Sequence, residues 1–381
     1  MDERILAQKT FDRTQEWNDA GYTGKGIVVW NMEGLSNHGQ MSRSRILDAA
    51  PEATVINATH GMNCKNNVIL KEYVYYDNIN YTADLFIKTK GISILSASKS
   101  GVSDRNSGRV DLYSGLQRKY NLTLVNSAGN DGGEGVKGGT LPESISIYVG
   151  ACQFMFDKDK IKGISMCNYS SIGDEYEEVD FSTFVGKAGW SGTSFSCPYL
   201  AGICALLQQR YGKDLTSQEI YQYLKMIAQP IDTGHKIKDN YDGWSGYGIP
   251  ILPTVDKKFI RMTVGSKEYR IDNETHTMDV APFIRLQRTY VPVAFIALAL
   301  GAKVIWNAKD KSVTIYKEGN SIKMWVGEHF YHLNENAYYM DVVPFIQDGR
   351  TFVPIAWVAD GLKCKVGWVA NKKEVLIIEG E

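Results

Sequence analysis

A doubly wound α/β domain with a parallel sheet, followed by a smaller duplicated α+β module, is the fold this sequence predicts. Three observations predict it. Short β-branched runs alternate with helix-length stretches through roughly the first 250 of 381 residues, one long apolar helix opens on a serine, and the last third repeats itself at a fixed offset.

The β-branched runs lie at Ile27 to Asn31, Ala53 to Ala58, Ile92 to Ser96, Leu122 to Ser127 and Ile145 to Gly150. Separated by stretches long enough for helices, they read as the parallel strands of βαβ units. In such sheets ligands bind beyond the carboxyl ends of the strands, and Glu33, Ser96 and Asn130 all fall at predicted strand ends. The serine helix follows Gly192-Thr193-Ser194-Phe195-Ser196-Cys197-Pro198; from Tyr199 to Leu207 it is apolar all round, which marks a buried helix. Ser194 at its start gains the partial positive charge of the helix end. Taken alone it is an ordinary helix cap.

In the C-terminal third, Met278-Asp279-Val280-Ala281-Pro282-Phe283-Ile284 recurs 62 residues later as Met340-Asp341-Val342-Val343-Pro344-Phe345-Ile346. The same offset relates Arg288-Thr289-Tyr290-Val291-Pro292 to Arg350-Thr351-Phe352-Val353-Pro354, and Ile260-Arg261-Met262 to Ile322-Lys323-Met324. Repetition this regular signals a duplicated unit. Each copy reads as strands, a short helix (Phe295 to Leu300 before Gly301 in the first) and a closing hairpin (Lys303 to Trp306 and Ser312 to Tyr316). The expected organisation is a domain over 1–252, a Gly- and Pro-containing linker at 253–258 and the duplicated module over 259–381, with repeats at about 260–316 and 322–378.

Composition narrows the function classes. With 42 basic and 43 acidic residues the formal charge is −1, and no Lys/Arg block points to nucleic acid. No long apolar span points to a membrane. Cys64, Cys152, Cys167, Cys197, Cys204 and Cys364 are scattered and read as small buried hydrophobes of a reduced protein. His276, His329 and His332 make no clustered set at metal-ligand spacing, so no metal or other cofactor is expected.

A serine hydroxyl needs a base within hydrogen-bond reach, the base needs a carboxylate to orient it, and the developing oxyanion needs donors. His38, Glu33 and Asn130 are the candidates for those roles. The residues around them carry a resemblance. Gly192-Thr193-Ser194 with Pro198, Asn37-His38-Gly39, Ala50-Pro51-Glu52-Ala53 and Ser127-Ala128-Gly129-Asn130 resemble, in order, the motifs of subtilisin-like serine proteases. The chain order acid, histidine, serine is the subtilisin order. That resemblance implies a serine endopeptidase acting on peptide or protein substrates through an acyl-enzyme on Ser194. Ser96, Ala97 and Ser98 would pair with the extended substrate, Asn126, Ser127 and Ala128 would form the opposite wall, and binding would be strand addition.

Two departures set limits. Glu33 stands where the family carries an aspartate, only five positions before His38, which leaves no room for the loop and calcium site that secreted relatives build there. The helix after His38 reads Gln40-Met41-Ser42-Arg43-Ser44-Arg45 rather than small and apolar, so it is expected to be more exposed or to face a partner. The alternative function is therefore a subtilase-fold scaffold or adaptor without strong activity, such as a bacteriophage or phage-tail-like particle component. The repeats resemble the stalk domain at the N-terminus of copper amine oxidases, which implies attachment to particle or cell-surface subunits and does not imply copper. Met1-Asp2-Glu3-Arg4 opens without an apolar signal core, so the expectation is a cytoplasmic protein or one released by lysis.

Overall fold

The computed structural model describes residues 3–380 apart from 66–67, 99–108, 134–145, 158–159, 174–178, 188 and 239. The chain divides into two compact units, Met1–Val255 and Asp256–Glu381.

The first unit is built on one sheet. Strands β1 (Val28–Asn31), β2 (Thr54–Asn57), β3 (Ile94–Ala97), β4 (Thr123–Ser127) and β5 (Ile147–Asp157) are joined by β6 (Lys160–Met166) and β7 (Phe181–Phe184). The order across the sheet is β7-β5-β4-β3-β1-β2, all parallel, with β6 antiparallel to β5. The five runs expected from the sequence become β1 to β5. The last runs on to Asp157, because beyond the parallel layer it forms a hairpin with β6. A three-stranded antiparallel meander, Thr59–Lys65, Val68–Tyr76 and Ile79–Tyr81, had no counterpart in the β-branched pattern.

Helices α1 (Glu3–Phe11), α2 (Thr14–Asp19), α3 (Asn37–Ala49), α4 (Ala83–Lys90), α5 (Arg109–Tyr120), α6 (Thr193–Tyr211) and α7 (Ser217–Ile227) complete the unit. Trp30, Leu95 and Leu124 of the sheet pack with Phe86 of α4 and with Tyr113 and Leu116 of α5 in one apolar cluster. Every residue of α6 except Gln209 is buried, as its all-round apolarity demands. Helix α3 crosses it closely: a Cβ on Gly202 would stand 2.6 Å from the Ile46 carbonyl oxygen and 2.8 Å from Ala49 Cβ. The strand order reverses between β1 and β3, so the loops after those two strands diverge and open a crevice at the carboxyl ends.

In the second unit the closing hairpins are exchanged, which corrects the expectation that each repeat closes on itself. Phe259–Thr263, Glu268–Ile271 and Glu274–Thr277 of the first repeat share a five-stranded antiparallel sheet with Lys365–Val369 and Glu374–Ile378 of the second. Asn320–Trp325, Phe330–Leu333 and Asn336–Tyr339 do the same with Lys303–Asn307 and Ser312–Lys317 of the first. A four-stranded sheet joins the copies through Arg288–Pro292 against Arg350–Pro354, with Val291 opposite Val353. Helices α8 (Val293–Ala299) and α9 (Ile355–Gly361) complete one core that draws Ile260, Ile315, Ile322 and Ile377 from both copies. Exchange lets each half bury apolar strand faces that it cannot cover alone.

Candidate active site

Ser194 is the second residue of α6 and is 8% exposed. Gly192 before the helix has φ +122°, a conformation side-chain-bearing residues avoid. Space requires glycine as well: a Cβ there would lie 3.1 Å from Ser194 Oγ and 3.3 Å from Asn130 Nδ2. The hydroxyl and the amide nitrogen therefore border one small gap. Pro198, four residues on, has no N–H to give the Ser194 carbonyl, so the first turn carries one helical bond fewer. Cys197, on the same turn, is not a second nucleophile: burial pushes its thiol up to about 12.

Asn130 follows β4. Its Oδ1 accepts from the Thr193 backbone N–H (2.8 Å) and lies 3.1 Å from the Thr193 hydroxyl. That hydroxyl is also 3.1 Å from the Gly129 carbonyl oxygen and accepts the Gly129 N–H at 3.1 Å. With its carbonyl side held by Thr193, the Asn130 amide turns its two N–H donors toward the gap at Ser194.

Glu33 lies two residues past β1 and is 1% exposed, while His38 is the second residue of α3 and 39% exposed. Glu33 Oε2 stands 3.5 Å from His38 Nδ1. Five positions suffice because the turn is tight: Ser36 caps α3 by accepting the Gly39 N–H at 3.2 Å. Gly39 presses on the Glu33–Gly34 turn so closely that a Cβ would fall 2.0 Å from the Gly34 carbonyl oxygen. Two residues the sequence did not single out fix this turn. Asn31 Nδ2, with two N–H donors, lies within hydrogen-bond distance of the Gly39 carbonyl (3.1 Å), Ser42 Oγ (2.9 Å) and Asn57 Oδ1 (3.0 Å), and Asn57 Nδ2 donates to the same Gly39 carbonyl (3.0 Å). Their signal was an asparagine at the end of each of two strands, which becomes a pair only once β1 and β2 are in register. The imidazole lies beside α6, its ring centre 5.8 Å from that of Phe195.

The helix after His38 is not more exposed, which corrects that expectation. Arg45 is fully buried and donates to Gln8 Oε1 (2.9 Å), the Phe184 carbonyl (2.9 Å) and Asp48 (2.8 Å), with the Phe195 carbonyl at 3.4 Å. Its guanidinium stacks 4.4 Å from the Tyr199 ring centre. Tyr199 in turn donates to Asp12 (2.8 Å), whose carboxyl is pushed up to about 6, mainly by burial. The expected walls also change. Ser96 lies inside β3, paired with β1 and β4; Ala97, the last residue of β3, pairs with Asn126 of β4; and Asn126 is buried in β4, paired also with β5, with its amide on the Tyr148 hydroxyl (2.9 Å). Ser96 and Asn126 have strand partners on both edges and are not free to pair with a peptide. Ser98, at 5% exposed, Ser127 and Ala128 stand at the strand ends, and the segment after Ser98 lies outside the described residues.

Residues 26–247, more than half of the chain, match the family model described as the subtilase family. The chain belongs to that family. Residues 244–304 and 270–377 match the model of the copper amine oxidase N-terminal domain, so the subtilase domain is followed by the stalk-type domain. No curated protein sequence matches the chain. Among solved structures it is similar to the prenylagaramide maturation protease PagA, at 19% identity over 64% of this chain and 96% of that one, with a TM-score of 0.45. It is also similar to MycP1 from Mycobacterium smegmatis, at 14% identity over 64% of this chain and 82% of that one, with a TM-score of 0.43. Neither likeness is close enough to assign a residue or a substrate. Among the described residues of this subtilase no three His, Cys, Asp or Glu side chains gather as metal ligands, and no helix is long and apolar enough to cross a membrane.

Proposed function

We propose that this subtilase is a serine endopeptidase with a Glu33–His38–Ser194 triad, cutting peptide or protein substrates, with the C-terminal unit serving as its attachment module. The observation that carries the proposal is the gap at Gly192, bordered by the nucleophile hydroxyl and by an asparagine amide that Thr193 holds in one orientation. Such an amide donates to a developing oxyanion together with the Ser194 backbone N–H.

Glu33 beside Nδ1 keeps that nitrogen protonated, which leaves Nε2 as the base for Ser194. The hydroxyl attacks the scissile carbonyl as its proton passes to Nε2. The imidazolium then gives that proton to the departing amine, and water attacks the acyl-enzyme by the same route. The Glu33–His38 separation of 3.5 Å is longer than a charge-assisted hydrogen bond, and His38 and Ser194 are not hydrogen-bonded to each other. The Glu33–His38 contact is of the kind that tightens in the Michaelis complex, and the mechanism requires the imidazole to come within reach of Ser194 there. The test is labelling of the intact chain by a fluorophosphonate, which is expected and is expected to vanish in Ser194→Ala. A folded chain that takes up no label rejects the protease in favour of the scaffold.

A further inference from the structure

One cavity of the N-terminal unit lies beside the nucleophile loop and is not used by the proposed mechanism. It measures about 250 Å³ and lies between α1, which contributes Arg4 and Gln8, and the loop leading into the nucleophile, which contributes Lys187, Trp190 and Ser191. Its two charged lining residues are both cations, and no carboxylate is among the described residues that line it. The Lys187 ammonium sits 5.2 Å from the centre of the Trp190 ring, which holds the charge at the wall.

Gln8 supplies the second observation. It is 1% exposed, and its carbonyl oxygen accepts from Arg45 at 2.9 Å. The opposite end of the amide, Nε2, is buried and has no hydrogen-bond partner. A buried donor without an acceptor is costly, and its residue is one of those that line a cavity whose two charged side chains are both positive. The occupant that satisfies both is an anionic acceptor, and a carboxylate fits that chemistry.

Position says which carboxylate. The Trp190 ring packs 4.6 Å from Phe195, and Phe195 packs 5.8 Å from His38, so an aromatic line runs from the imidazole to the cavity wall. The imidazole protonates the departing amine, so the part of the substrate that leaves first passes His38 on its way out. We propose that this cavity binds a carboxylate on the substrate segment C-terminal to the scissile bond, an aspartate or glutamate side chain or the free chain end, and so selects cleavage sites followed by acid. The inference rests on the protease reading for the direction of the peptide; the carboxylate site itself does not.

The test titrates the full chain carrying Ser194→Ala with pools of C-terminally amidated hexapeptides. The pools are random except for one Glu moved from the first to the fourth position, each matched by a Gln pool and by a Gln pool with a free C-terminus, and tryptophan fluorescence reports affinity. At one position the Glu pool, or else the free-acid pool, is expected to bind about tenfold or more tightly than the amidated Gln pool, as charge-assisted hydrogen bonds require. Which of the two pools gains identifies the source of the carboxylate. Lys187→Glu is expected to abolish or reverse the preference, and Gln8→Leu to weaken it. Equal affinities at every position overturn the inference, as does a preference that neither variant changes. Fluorophosphonate labelling of the unsubstituted chain separates the two claims: labelling without acid preference rejects the cavity alone, and acid preference without labelling rejects the protease alone.

Discussion

In the N-terminal unit Asp12, Glu33 and Arg45 are each no more than 1% exposed, whereas the two symmetry-related ion pairs between the C-terminal repeats, Arg288–Asp341 and Arg350–Asp279, are 44–48% exposed, and a more buried pair of that unit, Lys317–Glu379, is 8% and 10% exposed. The two exposed pairs are symmetric, since each repeat's aspartate meets the other repeat's arginine across the 62-residue offset. Buried ions add little net stability but become strongly destabilising when one partner is removed, while exposed pairs contribute little in either direction. The catalytic unit thus places its electrostatic risk inside, at and behind the nucleophile helix, where a low dielectric strengthens each dipole aimed at the reaction. The stalk-type unit holds the buried Lys317–Glu379 charges at strand ends, and its centre is apolar packing duplicated about the Val291–Val353 pairing.

The largest effect that separates the units belongs to Glu33. Glu33→Gln keeps the shape but presents donors to His38 Nδ1, which favours the wrong imidazole tautomer. The rate of peptide cleavage is expected to fall by about 10³- to 10⁴-fold with the thermal midpoint little changed. A fall of less than tenfold in kcat would detach Glu33 from the mechanism. Next comes Arg45→Leu, which strips α1, the Phe184 carbonyl and Asp48 of a shared cation. Removing one member of a buried charged network costs about 3–5 kcal/mol, read by denaturant unfolding of the N-terminal unit. A loss below about 1 kcal/mol would make Arg45 a surface-like charge despite its burial.

These two residues also mark what the sequence made legible. Glu33, His38, Asn130 and Ser194 stand out as candidates because each sits in a short motif at the end of a strand or the start of a helix, where local pattern and chemistry coincide. Strands β1 to β5 were found because strands covered on both faces are unbroken β-branched runs. Arg45 was misjudged because a charge in a helix reads as solvent-facing, and its partners come from Gln8 and Phe184, distant in the chain. Ser96 and Asn126 were placed on the substrate because motif order carries no information about where a strand stops being paired. The exchanged hairpins were invisible for a related reason, since two similar repeats give the same sequence pattern whether they close on themselves or on each other.

Asp12 tests the buried network through pH. Its folded pKa of about 6 lies above the ordinary carboxylate value of 3.8, so the folded state favours the protonated form. Its stabilising contribution is complete below about pH 4 and is lost as pH rises through about 6, a change of about 3 kcal/mol for a shift of this size. Asp12→Asn cannot ionise. The stability of the variant minus that of the unsubstituted chain, measured by denaturant unfolding, is therefore expected to rise by about 3 kcal/mol between pH 4 and pH 7.5. A flat difference would mean that the carboxylate is ionised throughout, held by Arg45 and the hydroxyls of Thr14 and Tyr199.

The smallest effect sets the two repeats against each other. In each, a two-residue hairpin precedes the strand at the centre of the four-stranded sheet: Leu286 and Gln287 in the first, with φ +50° and +59°, and Asp348 and Gly349 in the second, with φ +50° and +70°. Both residues of such a turn must be left-handed, which Asp-Gly adopts readily and Leu-Gln does not. Leu286 is 72% exposed, so no packing holds it there, and Gly349 has nothing within 4 Å of where a Cβ would stand. The two turns thus differ in backbone strain and in little else. Replacing Leu286 and Gln287 together by Asp and Gly is expected to stabilise the C-terminal unit by about 1 kcal/mol, with the gain reduced by the greater freedom of glycine in the unfolded chain. The reverse exchange at Asp348 and Gly349 is expected to destabilise it by a similar amount. If both exchanges were neutral, the strain at Leu286 would be relieved by some contact other than packing, and the first repeat would have kept an unfavourable turn for a reason outside its own fold.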